Sequence, residues 1–150
     1  MLNPFDLKAA LGAKHAQHVV LVHFPIALCM TSVAFDFLAR WTKRSALAAA
    51  AHYNLSVAAI MTLPTVATGL LAWQWQFEGQ RLRGNLLLHL ALGMLSSAMI
   101  WVVWWLHILA RRRSQEALPT YILGIELGVM GLIGLTAHIG GILSGVNAGG

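Results

Sequence analysis

The sequence predicts an all-α integral membrane protein in which four antiparallel helices form an up-down-up-down bundle. Of its 150 residues, 58% are hydrophobic and only 10% are charged, whereas about a quarter of the residues in a soluble domain are charged. Four apolar stretches each reach the roughly 20 residues that a helix needs to cross a bilayer. Because the connections between them are short, neighbouring helices should run antiparallel. No second domain and no internal repeat is expected.

The helix boundaries follow from the points where apolar runs meet polar and basic residues. We expect one transmembrane domain over residues 18–146, with spans at about 18–38, 46–73, 85–110 and 120–146. The connections between the spans are residues 40–44, 74–84 and 111–119. Before the first span, Asn3 and Pro4 open a short amphipathic surface helix within an outer-face segment, residues 1–17. Residues 147–150 form a tail.

The distribution of basic residues predicts the orientation. The first and third connections carry Arg40, Lys43, Arg44, Arg111, Arg112 and Arg113. The opposite side carries Lys8, Lys14, Arg81 and Arg83. Since basic residues are enriched in cytoplasmic loops, both termini are expected on the outer, periplasmic side of a bacterial inner membrane. The N-terminus has no basic region of the kind that opens a signal peptide, so no cleaved signal is expected.

Histidines are unusually dense for so apolar a chain, which has seven. Depth along the predicted helices divides five of them into two layers, an outer one with His23, His89 and His138, and an inner one with His52 and His107. His15 and His18 are expected at or outside the outer surface. His89 and His107 are five turns apart, which puts them on one face of the third helix but about 27 Å apart along its axis. Ionisable groups inside a membrane are costly and therefore indicate function.

Histidines at one depth on different helices are typical of haem b ligation, which needs two imidazoles facing each other across the iron. The outer layer offers three possible pairs, and His52 with His107 offers a second site, so one or two haems are predicted. Copper or zinc at His23, His89 and His138 is the alternative, because imidazole serves both metals. Histidines that only form hydrogen bonds between helices are the structural alternative.

Two acids and a glycine stripe complete the set of candidate features. Glu126 lies near the inner layer, where it could pass protons to a quinone or pair with a loop arginine or His52. Asp36 precedes Arg40 by four residues, a spacing that favours an interfacial ion pair. Glycines on the face of the fourth helix near His138 suit a porphyrin edge or close helix packing; they are Gly124, Gly131, Gly134, Gly141 and Gly145.

Several classes of protein are disfavoured by the absence of their motifs. The sequence contains no Gly-x-Ser-x-Gly, no Walker-type loop and no His-Glu-x-x-His. Its single cysteine, Cys29, excludes a disulfide framework and a Cys-x-x-Cys-His site for haem c. A stand-alone hydrolytic enzyme is therefore not expected.

The segment His18-Val-Val-Leu-Val-His-Phe-Pro-Ile-Ala-Leu28 resembles the opening of a family of small bacterial inner-membrane proteins, domain of unknown function 2231. Ala67-Thr-Gly-Leu-Leu71, Leu88-His89 and His138-Ile-Gly-Gly-Ile-Leu-Ser-Gly145 follow the same layout. The chain departs from the family pattern at Ala72 and Gln74, where an acid is usual, and at Ser144 and Asn147, where a histidine or tyrosine is common. The resemblance implies four helices and an association with redox modules.

Taken together, these features predict a haem b-binding electron-transfer subunit rather than a stand-alone enzyme. It would connect an outer-face redox partner, such as a periplasmic cytochrome, with quinone or a second cofactor. Its ligands would come from His23, His89 and His138 and then from His52 and His107. The alternatives are a cofactor-free scaffold subunit of a larger membrane complex and a copper- or zinc-binding membrane protein.

Overall fold

The computed structural model describes residues 14–76, 79, 81–113 and 118–145. Within these ranges the chain forms four helices, in order α1 (Lys14–Thr42), α2 (Ser45–Gln76), α3 (Gly84–Arg112) and α4 (Thr120–Leu143). Each is long and apolar enough to cross a membrane, which confirms the predicted all-α membrane bundle. The expected surface helix near Asn3 and the tail at 147–150 lie outside the described residues.

The helix ends differ from the predicted spans by a few residues. α1 begins four residues earlier than expected, at Lys14, so His18 lies one turn inside the helix. α4 ends at Leu143, where the Ser144 amide donates to the Gly140 carbonyl and Gly145 adopts a φ of +79°. That left-handed conformation is easy for glycine and stops the helix.

The bundle has two ends, which we name after the histidines that lie there. The His18 end contains the starts of α1 and α3, and the His107 end contains the starts of α2 and α4. At the His107 end only Lys43 and Arg44 separate α1 from α2. This short link makes α1 and α2 an antiparallel hairpin.

Small residues let α1 and α2 approach closely. Ala51, Ala58 and Ala59 of α2 are completely buried, and Ala58 and Ala59 pack with Cys29 of α1 in the central core. Ile100 of α3 and Ile133 of α4 close the same core from the other hairpin. Large apolar side chains such as Ile60 and Leu63 are instead exposed on the outside. This inversion is expected where lipid surrounds the bundle, because small residues drive helix association in membranes.

Enlarging Ala59 should therefore destabilise the bundle. We expect Ala59→Leu to lower the free energy of unfolding by about 1–3 kcal/mol, because the added atoms force α1 and α2 apart. Denaturant titration in detergent micelles, followed by helical circular dichroism, measures the change. Val57→Leu adds a methylene on an exposed position of the same helix and should change stability by less than about 0.5 kcal/mol. Equal effects of the two substitutions would show that the α1–α2 contact is loose.

Polar side chains of one helix bind backbone groups of its neighbour. Pro25 has no amide hydrogen, so the Leu21 carbonyl one turn earlier lacks its usual helical partner. The Thr65 hydroxyl of α2 lies 3.3 Å from that carbonyl oxygen and donates to it. The Ser32 hydroxyl donates to the Ala51 carbonyl over 2.8 Å. These bonds fix the register of α1 against α2, because unsatisfied backbone groups are costly inside a membrane.

Candidate functional site

Two histidines from different hairpins lie close together inside the His18 end of the bundle. His18 of α1 and His89 of α3 have ring centroids 6.5 Å apart and ring planes at 82° to each other. Both side chains are half-buried. The two rings therefore lie at one depth and on opposite hairpins.

Each of these rings is held by the backbone of the next helix. Nδ1 of His18 lies 3.0 Å from the carbonyl oxygen of Thr65, and Nδ1 of His89 lies 3.1 Å from that of Thr136. A carbonyl oxygen only accepts hydrogen bonds, so Nδ1 must carry the proton in both rings. In a neutral imidazole with the proton on Nδ1, the lone pair resides on Nε2. The backbone thus sets both the tautomer and the direction of each ring.

Each ring also lies directly on a glycine. A Cβ atom added at Gly69 would be 2.9 Å from Cε1 of His18, and one added at Gly140 would be 2.9 Å from Cε1 of His89. Real Cβ atoms do not approach other atoms so closely. Glycine at these two positions is therefore required for the observed ring placement.

The two hairpins repeat the same arrangement along the chain. In each hairpin the histidine lies 47 residues before the residue whose carbonyl it binds, and the glycine follows one turn later. One constant spacing relates His18 to His89, Thr65 to Thr136 and Gly69 to Gly140. The same spacing relates Asp36 to His107 and Arg40 to Arg111. The α1–α2 and α3–α4 hairpins are thus parallel structural repeats, although no internal repeat was predicted.

A cavity of about 470 Å³ opens between the hairpins at this end. His18 and His89 lie in its wall with Gly93, while Ile100 and Ile133 form apolar surface deeper in the bundle. Cofactor sites are commonly apolar cavities of about 300–1,000 Å³ with a few placed polar groups. Leu82 also lines the cavity. It stands between Arg81 and Arg83, whose side chains are exposed.

A second group of polar residues lies buried at the His107 end, and we call it the carboxylate–histidine cluster. It consists of Asp36 of α1, His107 of α3 and Glu126 of α4, which are 4%, 2% and 1% exposed. Nε2 of His107 lies 2.7 Å from Oε1 of Glu126 and 3.5 Å from Oδ2 of Asp36. Asp36 Oδ2 and Glu126 Oε2 are buried without an N–H or hydroxyl donor, and the two carboxyl groups lie within hydrogen-bond reach of each other. Three helices thus converge on one polar site.

His52 of α2 stands beside this cluster. Its ring lies 6.3 Å from that of His107, centroid to centroid, and the two planes are nearly parallel at 15°. Its Nδ1 is buried without a hydrogen-bond partner. The predicted inner pair is therefore close together, but Nε2 of His107 faces the two carboxyl groups.

The other predicted outer ligands are placed differently. The side chains of His23 and His138 are exposed, and Nδ1 of His23 donates to the Val19 carbonyl of its own helix over 2.6 Å. His23 contributes to the cavity wall, whereas the ring that faces His89 belongs to His18. His18 was expected at or outside the surface, and its position one turn inside α1 corrects that expectation.

The predicted ion pair between Asp36 and Arg40 was wrong. The Arg40 guanidinium donates instead to the Leu118 carbonyl over 3.1 Å and to the Thr120 hydroxyl over 2.8 Å. Asp36 points into the bundle toward His107. Glu126 likewise pairs with His107 rather than with His52 or a loop arginine.

Comparison with known proteins identifies the family of this chain but does not assign it an activity. A family model described as "predicted membrane protein (DUF2231)" matches residues 14–148. Because the match covers most of the chain, the chain belongs to this family, as its His-Phe-Pro-Ile-Ala-Leu segment suggested. No curated protein and no solved structure matches the chain.

Proposed function

We propose that this member of the DUF2231 family binds one haem b between His18 and His89 and carries electrons within the membrane. The observation that supports it is the close pair of imidazoles, each held by a carbonyl through Nδ1 and packed on a glycine. Ligand histidines in metal and haem sites commonly donate their second ring nitrogen to such a partner, which orients the ring. Both rings would ligate through Nε2.

The ring separation supports the same ligand pair. With metal–nitrogen bonds of about 2 Å, two imidazoles that bind one iron through Nε2 have centroids roughly 6–6.5 Å apart. The His18–His89 separation of 6.5 Å agrees with this value. The flat ring of the macrocycle would then extend into the cavity of about 470 Å³ between the hairpins.

The charges at the mouth of the cavity suit the anionic edge of haem b. Its two propionates would lie toward Arg81 and Arg83, which flank the cavity-lining Leu82. Arginine binds carboxylates through paired hydrogen bonds. In this proposal the His18 end faces the periplasm of a bacterial inner membrane, and a periplasmic redox protein exchanges electrons there.

Optical spectra of the purified protein test the haem proposal. Expressed with adequate haem and purified in detergent, the protein should show a Soret band and sharp α and β bands after reduction with dithionite. The pyridine haemochrome assay should give about one haem b per chain. His18→Ala and His89→Ala should each abolish six-coordinate haem, because either change removes one axial ligand.

A matched control comes from the same end of the bundle. His138→Ala removes an exposed histidine that does not line the cavity and should leave the spectrum and the haem content unchanged. A colourless wild-type protein would overturn the proposal and favour the scaffold subunit. A spectrum that survives both His18→Ala and His89→Ala would place the haem elsewhere and would equally overturn it.

A further inference from the structure

We infer that the carboxylate–histidine cluster of Asp36, His107 and Glu126 binds one divalent first-row transition metal ion. This site lies at the opposite end of the bundle from the His18–His89 pair and does not depend on haem. One ligand atom from each of the three residues lies within 4.8 Å of the other two. All three side chains are buried.

With both acids ionised, the cluster needs a positive partner. Two carboxylates carry two negative charges, and the ion-pair partner of both within the described residues is the single imidazole of His107. Arg40, the cation nearest to Asp36 along the chain, is bound to Leu118 and Thr120 instead. Uncompensated charge is costly inside a membrane. With a neutral imidazole, one divalent cation makes the cluster neutral.

The unpartnered atoms point to the same conclusion. Oδ2 of Asp36 and Oε2 of Glu126 are buried without an N–H or hydroxyl donor, although buried carboxylate oxygens normally have such partners, and the two carboxyl groups lie within hydrogen-bond reach of each other. Two carboxyl groups in contact need either a shared proton or a shared cation. Ligand bonds of about 2.0–2.2 Å place tetrahedral ligand atoms about 3.5 Å apart. His107 Nε2 and Asp36 Oδ2 already have that separation, 3.5 Å. Glu126 Oε1 lies 2.7 Å from His107 Nε2, so a bound ion would move these two atoms about 1 Å further apart.

The donor set selects the class of ion. Magnesium and calcium prefer six or more oxygen ligands, whereas one imidazole with two carboxylates suits zinc, iron, manganese or cobalt. Three protein ligands leave a position for water or a further ligand. The stacked ring of His52, with its unpartnered Nδ1, is the nearest additional imidazole in the described structure.

Metal content and cobalt titration of the whole protein in detergent test this inference. The protein, freed of metal with a chelator and dialysed, is titrated with Co²⁺, whose visible absorption reports ligand geometry, and with Zn²⁺ in competition. We expect one equivalent to bind. Asp36→Asn and Glu126→Gln keep the side-chain shape and should each weaken Co²⁺ binding by at least about 100-fold, since even outer-shell changes cost 10–100-fold.

Two comparisons make the result specific to the cluster. His138→Ala should bind Co²⁺ as the wild type does, and His18→Ala should do so even if it has lost haem. Helical circular dichroism and gel filtration identify any variant that fails to fold. Absence of binding to the folded wild type at micromolar Co²⁺ or Zn²⁺ would overturn the inference, and the cluster would then be neutralised by two protons. Binding that Asp36→Asn and Glu126→Gln leave unchanged would overturn it as well.

Discussion

Replacing His107 with leucine should lower the free energy of unfolding of the metal-free protein by about 3–5 kcal/mol, the usual cost of removing one partner from a buried ionic group. His107 is 2% exposed and is the ion-pair partner of both Asp36 and Glu126 in the described structure. Leucine fills a similar volume but binds neither carboxyl group. The two acids then keep only their contact with each other in an apolar interior.

A double-mutant cycle separates this cost from general loss of packing. In the His107→Leu background, Glu126→Leu removes one of the two carboxyl groups that have lost their imidazole partner. It should therefore lower the free energy of unfolding much less than it does in the wild type. Stability is measured by denaturant titration in detergent with a chelator present. His23→Leu removes an exposed histidine bonded to its own helix and should change stability by less than about 0.5 kcal/mol. Additive effects of His107→Leu and Glu126→Leu would show that the two residues do not interact.

The fold was predictable because length and composition restrict a membrane chain strongly. Apolar runs of about 20 residues must form helices in lipid, and a two-residue link such as Lys43-Arg44 leaves only an antiparallel hairpin. The depth of a residue follows from its distance to the helix end. His107 and Glu126 lie together at one end of the bundle, as their predicted depths indicated, and His89 and His107 share one face of α3, as their spacing predicted.

The rotation of each helix about its axis was not predictable in the same way. Both His23 and His18 are near the start of α1, and the depth of His23 favoured it as a partner for His89. α1 starts four residues earlier than expected, and its rotation turns His18 toward His89 and leaves His23 exposed. Helix faces are set by packing against neighbours, here through Thr65 and the Leu21 carbonyl next to Pro25.

One signal in the sequence could have identified His18. The constant spacing that relates His18, Thr65 and Gly69 to His89, Thr136 and Gly140 is present in the letters of the chain. It is weak because only scattered positions repeat, while the apolar residues between them vary. Asp36 was missed for a different reason, since Arg40 four residues later offered a local partner. In the structure Asp36 contacts His107 of α3 instead of Arg40.

If the chain binds haem as proposed, Gly140→Ala should weaken that binding by about 10–100-fold, the range found when a group that orients a metal ligand is disturbed. The added Cβ would lie 2.9 Å from Cε1 and 3.4 Å from Nδ1 of His89. The ring must therefore tilt away, which strains its 3.1 Å hydrogen bond to the Thr136 carbonyl and changes the direction of Nε2. Part of the haem should become five-coordinate, with a broadened Soret band.

Because the two hairpins share the same histidine–glycine contact, the prediction can also be tested at the equivalent glycine of the other hairpin. Gly69→Ala brings a Cβ equally close to Cε1 of His18 and should weaken binding to a similar extent through the other ligand. Gly131→Ala is the matched control on α4, because its Cβ would meet no atom within 4 Å and the haem affinity should stay within about twofold. Haem titration of the apoprotein, followed at the Soret band, measures all three variants. If Gly140→Ala binds haem as Gly131→Ala does, His89 is not an axial ligand, because a ligand ring cannot be displaced without loss of affinity.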